Sequence, residues 1–353
     1  MLPRRIRGAC RDSLFRFLDR LSRHERSRSL LARQVRSLVQ QPPAIAPEDL
    51  RIGARPYAGL GDPPPDGGTS LRRDIVFITG RFRSGTTFLW NVFRATPGVT
   101  AYYEPLNERR WFDPAMRGTG VDATHKNVSE YWTEYEGLEE LGRYYRTEWI
   151  DTDLYMDERF PDAGMRKYIE RLIERAPGRP VLQFNRVDFR LPWLRSQFPG
   201  ARLVHIYRHP RDQWCSALMG DACPREDMPF AAFAPHDRFY LTPWVRDLKR
   251  HFPFLAEEEL AHPYQGFYFI WRLSHLFGKK YAHHSIRFED LASDPMPVLS
   301  PLLAGLEMPD HDPEKIRRLH VRPEFDKWKA YAGEDWFRRH EGHCEAVLAR
   351  HFG

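Results

Sequence analysis

Gly80-Arg81-Phe82-Arg83-Ser84-Gly85-Thr86-Thr87 is the stretch on which the reading of this sequence turns. It follows a continuous run of β-branched and aromatic residues, Ile75–Thr79, and it opens a segment, 86–95, of helical character. A strand that ends in a glycine turn and restarts as a helix aims unpaired backbone amides at one point, at the positive end of the helix. Gly80 and Gly85 permit the unusual backbone angles of such a turn. The amides of Ser84 to Thr87 are therefore expected to converge on an anion.

Outward from this loop the same alternation continues. Val181–Phe184, Leu203–Tyr207 and Ser285–Phe288 are short apolar runs, and 165–176, 210–219 and 266–282 read as helices. Short buried strands separated by helices predict an α/β fold, a parallel sheet flanked by helices. Residues 107–160 break the pattern with a dense aromatic set: Trp111, Phe112, Tyr131, Trp132, Tyr135, Tyr144, Tyr145, Trp149 and Tyr155. They predict an inserted, mostly helical layer on the acceptor side, although packing in the core is the plainer use of aromatic rings.

The loop has the Gly-x4-Gly-x-Thr spacing of a nucleotide-triphosphate phosphate loop (P-loop), but Thr86 stands at the seventh position, where lysine is expected. Enzymes that transfer a γ-phosphoryl group use that lysine and Mg²⁺ to manage a highly charged terminal phosphate. A cradle without the lysine suits a terminal group of lower charge, such as a sulfuryl group with one negative charge against about two for a phosphoryl group. Such a group is transferable without a metal, with Arg81 and Arg83 supplying positive charge from within the loop; Arg83, with the amides of Ser84 to Thr87, is the expected catalytic stabiliser of the transferring group. A second element, Arg202 to Ala217, has a buried strand ending at Tyr207, then Arg208, a proline suited to the first turn of a helix, and Ser216 two turns in. Arginine suits forked phosphate recognition, so Arg208 and Ser216 are placed for a second, separate phosphate.

With these residues in view, the chain from about 74 to 353 resembles the sulfotransferases that depend on 3′-phosphoadenylyl sulfate (PAPS), nearest to the glutamate-base carbohydrate and bacterial members. The resemblance implies that Arg83, Ser84, Gly85, Thr86 and Thr87 bind the 5′-phosphosulfate and that Arg208 and Ser216 bind the 3′-phosphate. The stretch Arg287 to Pro295 resembles the family's Arg-Tyr-Glu-Asp-Leu segment, with Phe288 where tyrosine is usual. Lys327-Trp328 resembles a Lys-Trp pair that closes over the donor in some members.

Attack by a hydroxyl on sulfur needs a proton acceptor within hydrogen-bond reach. Some members use a histidine; carbohydrate and tyrosyl-protein members tend to use a glutamate just after the loop helix. Here Glu104-Pro105-Leu106 follows that helix and resembles the glutamate type, so Glu104 is the candidate base, with Glu108 and Asp188 as fallbacks. An ordinary glutamate, with pKa about 4.3, is a weak base. Burial beside Tyr102 and Tyr103 raises it and opposing arginines lower it, so sequence leaves the net sign open. A salt-bridged or helix-capping role for Glu104 stays open too. Asn185, Arg186 and Arg190 sit where the family places polar residues near donor or acceptor, and His205 and His209 read as packed rather than catalytic.

Charge and composition set the outer bounds. The 353 residues carry a net charge of +6, but eleven arginines against three acids place +8 within residues 1–40. The body is thus slightly acidic, and nucleic acid is not an expected partner. The arm reads as a basic amphipathic helix: docked on the main domain, lying on an anionic membrane surface, or binding a partner. A Pro/Gly-rich linker, 41–70, joins it to the domain at 71–353. No apolar run reaches the roughly 20 residues of a membrane-spanning helix, the four scattered cysteines form no Cys-x-x-Cys pair, and no metal-ligand motif is present. The expected setting is cytoplasmic, with a possible peripheral contact at the inner face of the membrane. The expected activity is sulfuryl transfer from PAPS to a hydroxyl of a sugar or glycolipid. A P-loop nucleotide kinase and a non-catalytic nucleotide-binding scaffold are the rival readings.

Overall fold

A computed structural model describes residues 74–353, apart from 119, 123, 219–223, 309 and 353. The basic arm and the linker expected from the sequence lie outside the described residues. Among the described residues five short strands form one sheet: β1 (Val76–Thr79), β2 (Val99–Tyr103), β3 (Arg179–Phe184), β4 (Arg202–Tyr207) and β5 (His284–Arg287). They run parallel in the order β2-β3-β1-β4-β5. The continuous apolar runs arise because helices cover both faces of such a sheet; all four residues of β1 are buried.

The helices are α1 (Thr86–Arg94), α2 (Ala163–Arg175), α3 (Leu191–Gln197), α4 (Pro210–Ala217), α5 (Leu241–Leu248), α6 (Pro263–Tyr281), α7 (Phe288–Ser293), α8 (Met296–Gly305), α9 (Pro313–Leu319) and α10 (Glu334–Phe352). None of those described is long and apolar enough to cross a membrane. Register places the site. Val76 pairs with both Val181 and Arg202, and Thr79 with both Phe184 and His205, so β1 and β3 end level and β4 runs two residues further, to Tyr207. The loops leaving β1 and β4 are then neighbours in space, at the carboxyl edge where open parallel sheets bind ligands.

Four expected strands and four expected helices are present, with ends shifted by at most three residues. Phe288, expected to end a strand, instead begins α7. Strand β2 was not expected: its five residues follow Pro97-Gly98 directly and are too short to show a period. The 107–160 layer differs most. It consists of turns with three short 3-10 segments, Thr133–Tyr135, Glu139–Arg143 and Thr147–Ile150. Its aromatic residues are held one by one by tertiary contacts, so no apolar stripe at helical spacing was needed to place them.

Candidate active site

The loop turns where glycine alone fits. Gly85 has φ +94°, and a Cβ there would lie 2.2 Å from the Phe288 ring. A Cβ on Gly80 would lie 2.6 Å from the Ile206 carbonyl oxygen, so this glycine sets how closely the β1 loop approaches β4. Gly85 caps α1 without any side-chain hydrogen bond to its first amides, which leaves those donors aimed outward. Phe288 is packed between two parts of the cradle, resting on Gly85 on one side and lying 4.8 Å from the Arg208 guanidinium on the other. Its ring does this without the hydroxyl a tyrosine would carry.

The two sequence elements meet here. Arg208 donates through Nη1 to the Arg83 carbonyl at 3.3 Å, and Arg83 donates through Nε to Ser216 Oγ at 3.2 Å. Ser84 Oγ and Arg208 Nε are buried and have no hydrogen-bond partner among the described residues. Buried donors left without acceptors on both of the elements that meet here fit an anionic group beside them. Arg81 is placed differently. Its guanidinium stacks 4.1 Å from the Trp244 ring on α5, and burial pulls its pKa down to about 10 against the pull of Asp188 and Asp237. Asp188 is bound to Thr79 Oγ1 at 2.8 Å within this buried group, rather than at the Glu104 turn. Lys327 pairs with Glu324 at 3.4 Å, and Trp328 takes the Arg211 guanidinium of α4 at 4.7 Å. That segment leans on the helix that carries Ser216.

Glu104 follows β2 in a left-handed turn, φ +40°, closed by the Asn107 amide donating to its carbonyl at 2.9 Å. Three tyrosines hold this turn by its carbonyls. Tyr135 donates to residue 103 at 2.9 Å, Tyr168 to residue 105 at 2.6 Å and Tyr145 to residue 107 at 2.9 Å. The carboxylate is buried and accepts from Asn107 Nδ2 at 2.5 Å. Burial pushes its pKa up, opposed first by Arg186 and then by the Asn107 bond, so the sign left open by the sequence is upward. Tyr103 Oη lies 3.1 Å from Thr87 Oγ1, which ties the Glu104 strand to the anion loop.

The model of the sulfotransferase family matches residues 75–312, most of the described fold and all of the elements that meet at this loop. The chain belongs to the sulfotransferase family. Solved structures with a similar course include sulfotransferase STF9 from Mycobacterium avium, at 14% identity over 79% of this chain and 77% of that one, TM-score 0.40. A sulfotransferase from Alicyclobacillus acidocaldarius shares 17% identity over 78% and 95%, TM-score 0.35. The sulfotransferase domain of the Synechococcus PCC 7002 olefin synthase shares 16% over 82% and 98%, TM-score 0.37. No curated protein matches the chain.

This sulfotransferase also places residues at its loop that sequence reasoning missed. Asp122 and Thr124, in the aromatic layer, reach the Arg83 guanidinium at 3.4 and 3.0 Å. His125 Nε2 lies 3.3 Å from Thr87 Oγ1, and its other nitrogen, Nδ1, lies 2.5 Å from Tyr131 Oη. Burial lowers the His125 pKa to about 4, so it is neutral at pH 7. No periodicity or spacing marked these residues, because only the folded layer brings them over the loop. His205 is packed in β4, with Nδ1 2.9 Å from Ser285 Oγ. Among the described residues no group of three or more His, Cys, Asp or Glu side chains is placed to hold a metal ion.

Proposed function

We propose that this sulfotransferase moves a sulfuryl group from PAPS to a hydroxyl acceptor by in-line, metal-independent transfer. The observation that carries the reading is the juxtaposition of an unfilled set of buried donors, Ser84 Oγ and Arg208 Nε, with a buried carboxylate of raised pKa. The two are tied together by the contact between Thr87 and Tyr103. PAPS supplies an activated sulfuryl group on a twice-phosphorylated nucleotide. The amides at the start of α1 and Ser84 bind the 5′ side, Thr86 and Thr87 complete that turn, and Arg208 and Ser216 bind the 3′-phosphate. Arg83, which touches Ser216, stabilises the transferring sulfuryl group together with the amides of Ser84 to Thr87, and Lys327-Trp328, packed against α4, closes over the donor. Arg81 supports the loop from its stack on Trp244 and adds long-range positive charge.

Glu104 accepts the proton of the attacking hydroxyl. Its pKa is raised, so the carboxylate is a stronger base than an exposed glutamate, and turnover falls as pH drops through that raised value. The rest of catalysis is positioning and electrostatics. The acceptor class, a sugar or glycolipid, rests on the Glu-Pro-Leu pattern. The aromatic layer adds little to it, because Trp111, Phe112, Tyr131, Tyr135 and Trp149 are buried and offer no free face to a sugar ring. Phosphoryl transfer is less suited to the loop, since Thr86 occupies the lysine position. We further propose a cytoplasmic setting, with residues 1–40 contacting an anionic membrane surface or a partner.

The test is incubation with ³⁵S-labelled PAPS, with and without Mg²⁺, across glycan, lipid and phenol acceptors. Labelled product without Mg²⁺ is expected. No product with any acceptor, together with no affinity for adenosine 3′,5′-bisphosphate, sinks the reading. Strict dependence on Mg²⁺ with ATP as donor favours the kinase.

A further inference from the structure

Arg186 lies just past β3, beside the turn that follows β2. The parallel register pairs Tyr103 with Gln183, which brings Glu104 and Arg186 side by side at the sheet edge. Arg186 is almost wholly buried. Its guanidinium lies 5.0 Å from the Phe82 ring of the anion loop and 5.3 Å from the Tyr240 ring. Nη1 donates to Asn185 Oδ1 at 2.6 Å. The planar group is therefore fixed in place before it meets either carboxylate.

It meets two, unequally. Nη2 donates to Glu108 Oε2 at 2.6 Å, and the Glu108 side chain is 43% exposed. Nη1 lies 3.7 Å from Glu104 Oε2, beyond hydrogen-bond length. One buried cation thus gives its strong contact to the carboxylate that water already solvates, and only a Coulombic contact to the one that burial has stripped of water. A full hydrogen-bonded pair with Glu104 would weaken it as a base; with no cation, burial would push its pKa higher still.

We propose that Arg186 is the positioning residue of this site and that Glu108 attenuates it, so that Glu104 is held in place and ionises while keeping its strength as a base. The inference rests on the transfer reading for its catalytic consequence, but not for its physical content. The other groups facing Glu104 are Tyr103 from β2, Asn107 and Glu108 from its own turn, and Tyr131 and Tyr135 from the aromatic layer. The carboxylate among them, Glu108, acts on Glu104 with the opposite sign to Arg186.

The two variants are therefore expected to move Glu104 in opposite directions. In Arg186→Met the titration midpoint of Glu104 rises by about one pH unit, and in Glu108→Gln it falls by a similar amount. The fall has two sources: a like charge is lost, and Arg186 is released to approach Glu104. Arg186→Lys keeps the charge without the fork and lies between. The midpoint is read in the ligand-free full chain by ¹³C NMR of glutamate carboxyls, with the Glu104 signal assigned by its loss in Glu104→Gln. With PAPS and an acceptor, the acid limb of the kcat/KM profile shifts the same way, while affinity for adenosine 3′,5′-bisphosphate stays within about twofold.

Midpoints that do not move, or that move together in one direction, overturn the proposal. If Arg186→Met fails to fold, Glu108→Gln alone decides: a fall supports the proposal, and no change or a rise overturns it. A wild-type chain that neither transfers nor binds the bisphosphate sinks the transfer reading, yet the carboxyl titration still decides the role of Arg186.

Discussion

The anion loop and the Glu104 turn face one another at the carboxyl edge of the sheet and are built on opposite terms. The loop is one contiguous stretch whose donors are backbone amides, freed by a glycine cap. Its partners, Arg208 and Ser216, come from one further strand and helix. The Glu104 turn has no such local code. It is held in a left-handed conformation by hydroxyls from Tyr135, Tyr145 and Tyr168, which lie 32 to 63 residues away from the carbonyls they bind. Binding an anion needs a donor array, which a short motif supplies. Making a glutamate basic needs the removal of water, which only distant residues packed together achieve.

The largest expected effect separates the two regions. Glu104→Gln lowers kcat by about 10²- to 10⁴-fold and leaves bisphosphate affinity unchanged, as measured by calorimetry beside single-turnover transfer. The same variant should also melt higher than the wild type at pH 8. The folded pKa of Glu104 lies above its unfolded value, so its ionisation costs stability as pH rises through that interval. The gap in Tm should close as pH falls toward the ordinary carboxylate range. A loss of affinity equal to the loss of turnover would mean that the two regions are not separable.

Arg208→Met is the converse. A charged hydrogen-bond donor at the cradle is lost, and bisphosphate affinity is expected to fall about 10- to 100-fold, with the acid limb of the pH profile in place. A shifted limb would couple the cradle to the base. Tyr135→Phe has a smaller effect, removing one buried hydrogen bond to the turn at about 1 kcal/mol of stability and lowering kcat more than it raises KM. Denaturant unfolding and steady-state rates check it; a pure stability loss with unchanged kcat would show that the tyrosines hold the fold rather than the carboxylate.

The smallest expected effect concerns Asp122, which sets a carboxylate against Arg83 before any ligand arrives. Asp122→Asn frees that guanidinium, and bisphosphate affinity should rise about two- to fivefold, more at low salt than at high salt. A fall instead would mean that Asp122 orients Arg83 toward the ligand.

Legibility in the sequence followed the same division. Strand β1, the loop, α1 and the β4–Arg208–α4 unit were readable, because each joins a short buried run to a turn chemistry that few other structures use. Strand β2 was missed, and the aromatic layer was expected to be more helical than it is: its local hydrogen bonds are mostly single turns and short 3-10 segments that do not extend into α-helix. Arg81 and Arg83 looked alike as two loop arginines, yet one stacks on Trp244 and the other reaches Ser216 and Asp122. Their different fates depend on α5, α4 and the layer, none of which the loop encodes.

By itself, then, the sequence determined the α/β class, the family and the position of the glycine turn between β1 and α1, because glycine placement, a lysine-free turn and short apolar strands are local properties. Only the tertiary structure decided that the Glu104 pKa moves upward, that the aromatic rings are spent on packing, and that Arg186 stands between two carboxylates. Each of those depends on distance and on exclusion of water among residues far apart in the chain, and in a buried site these govern charge more strongly than residue type does.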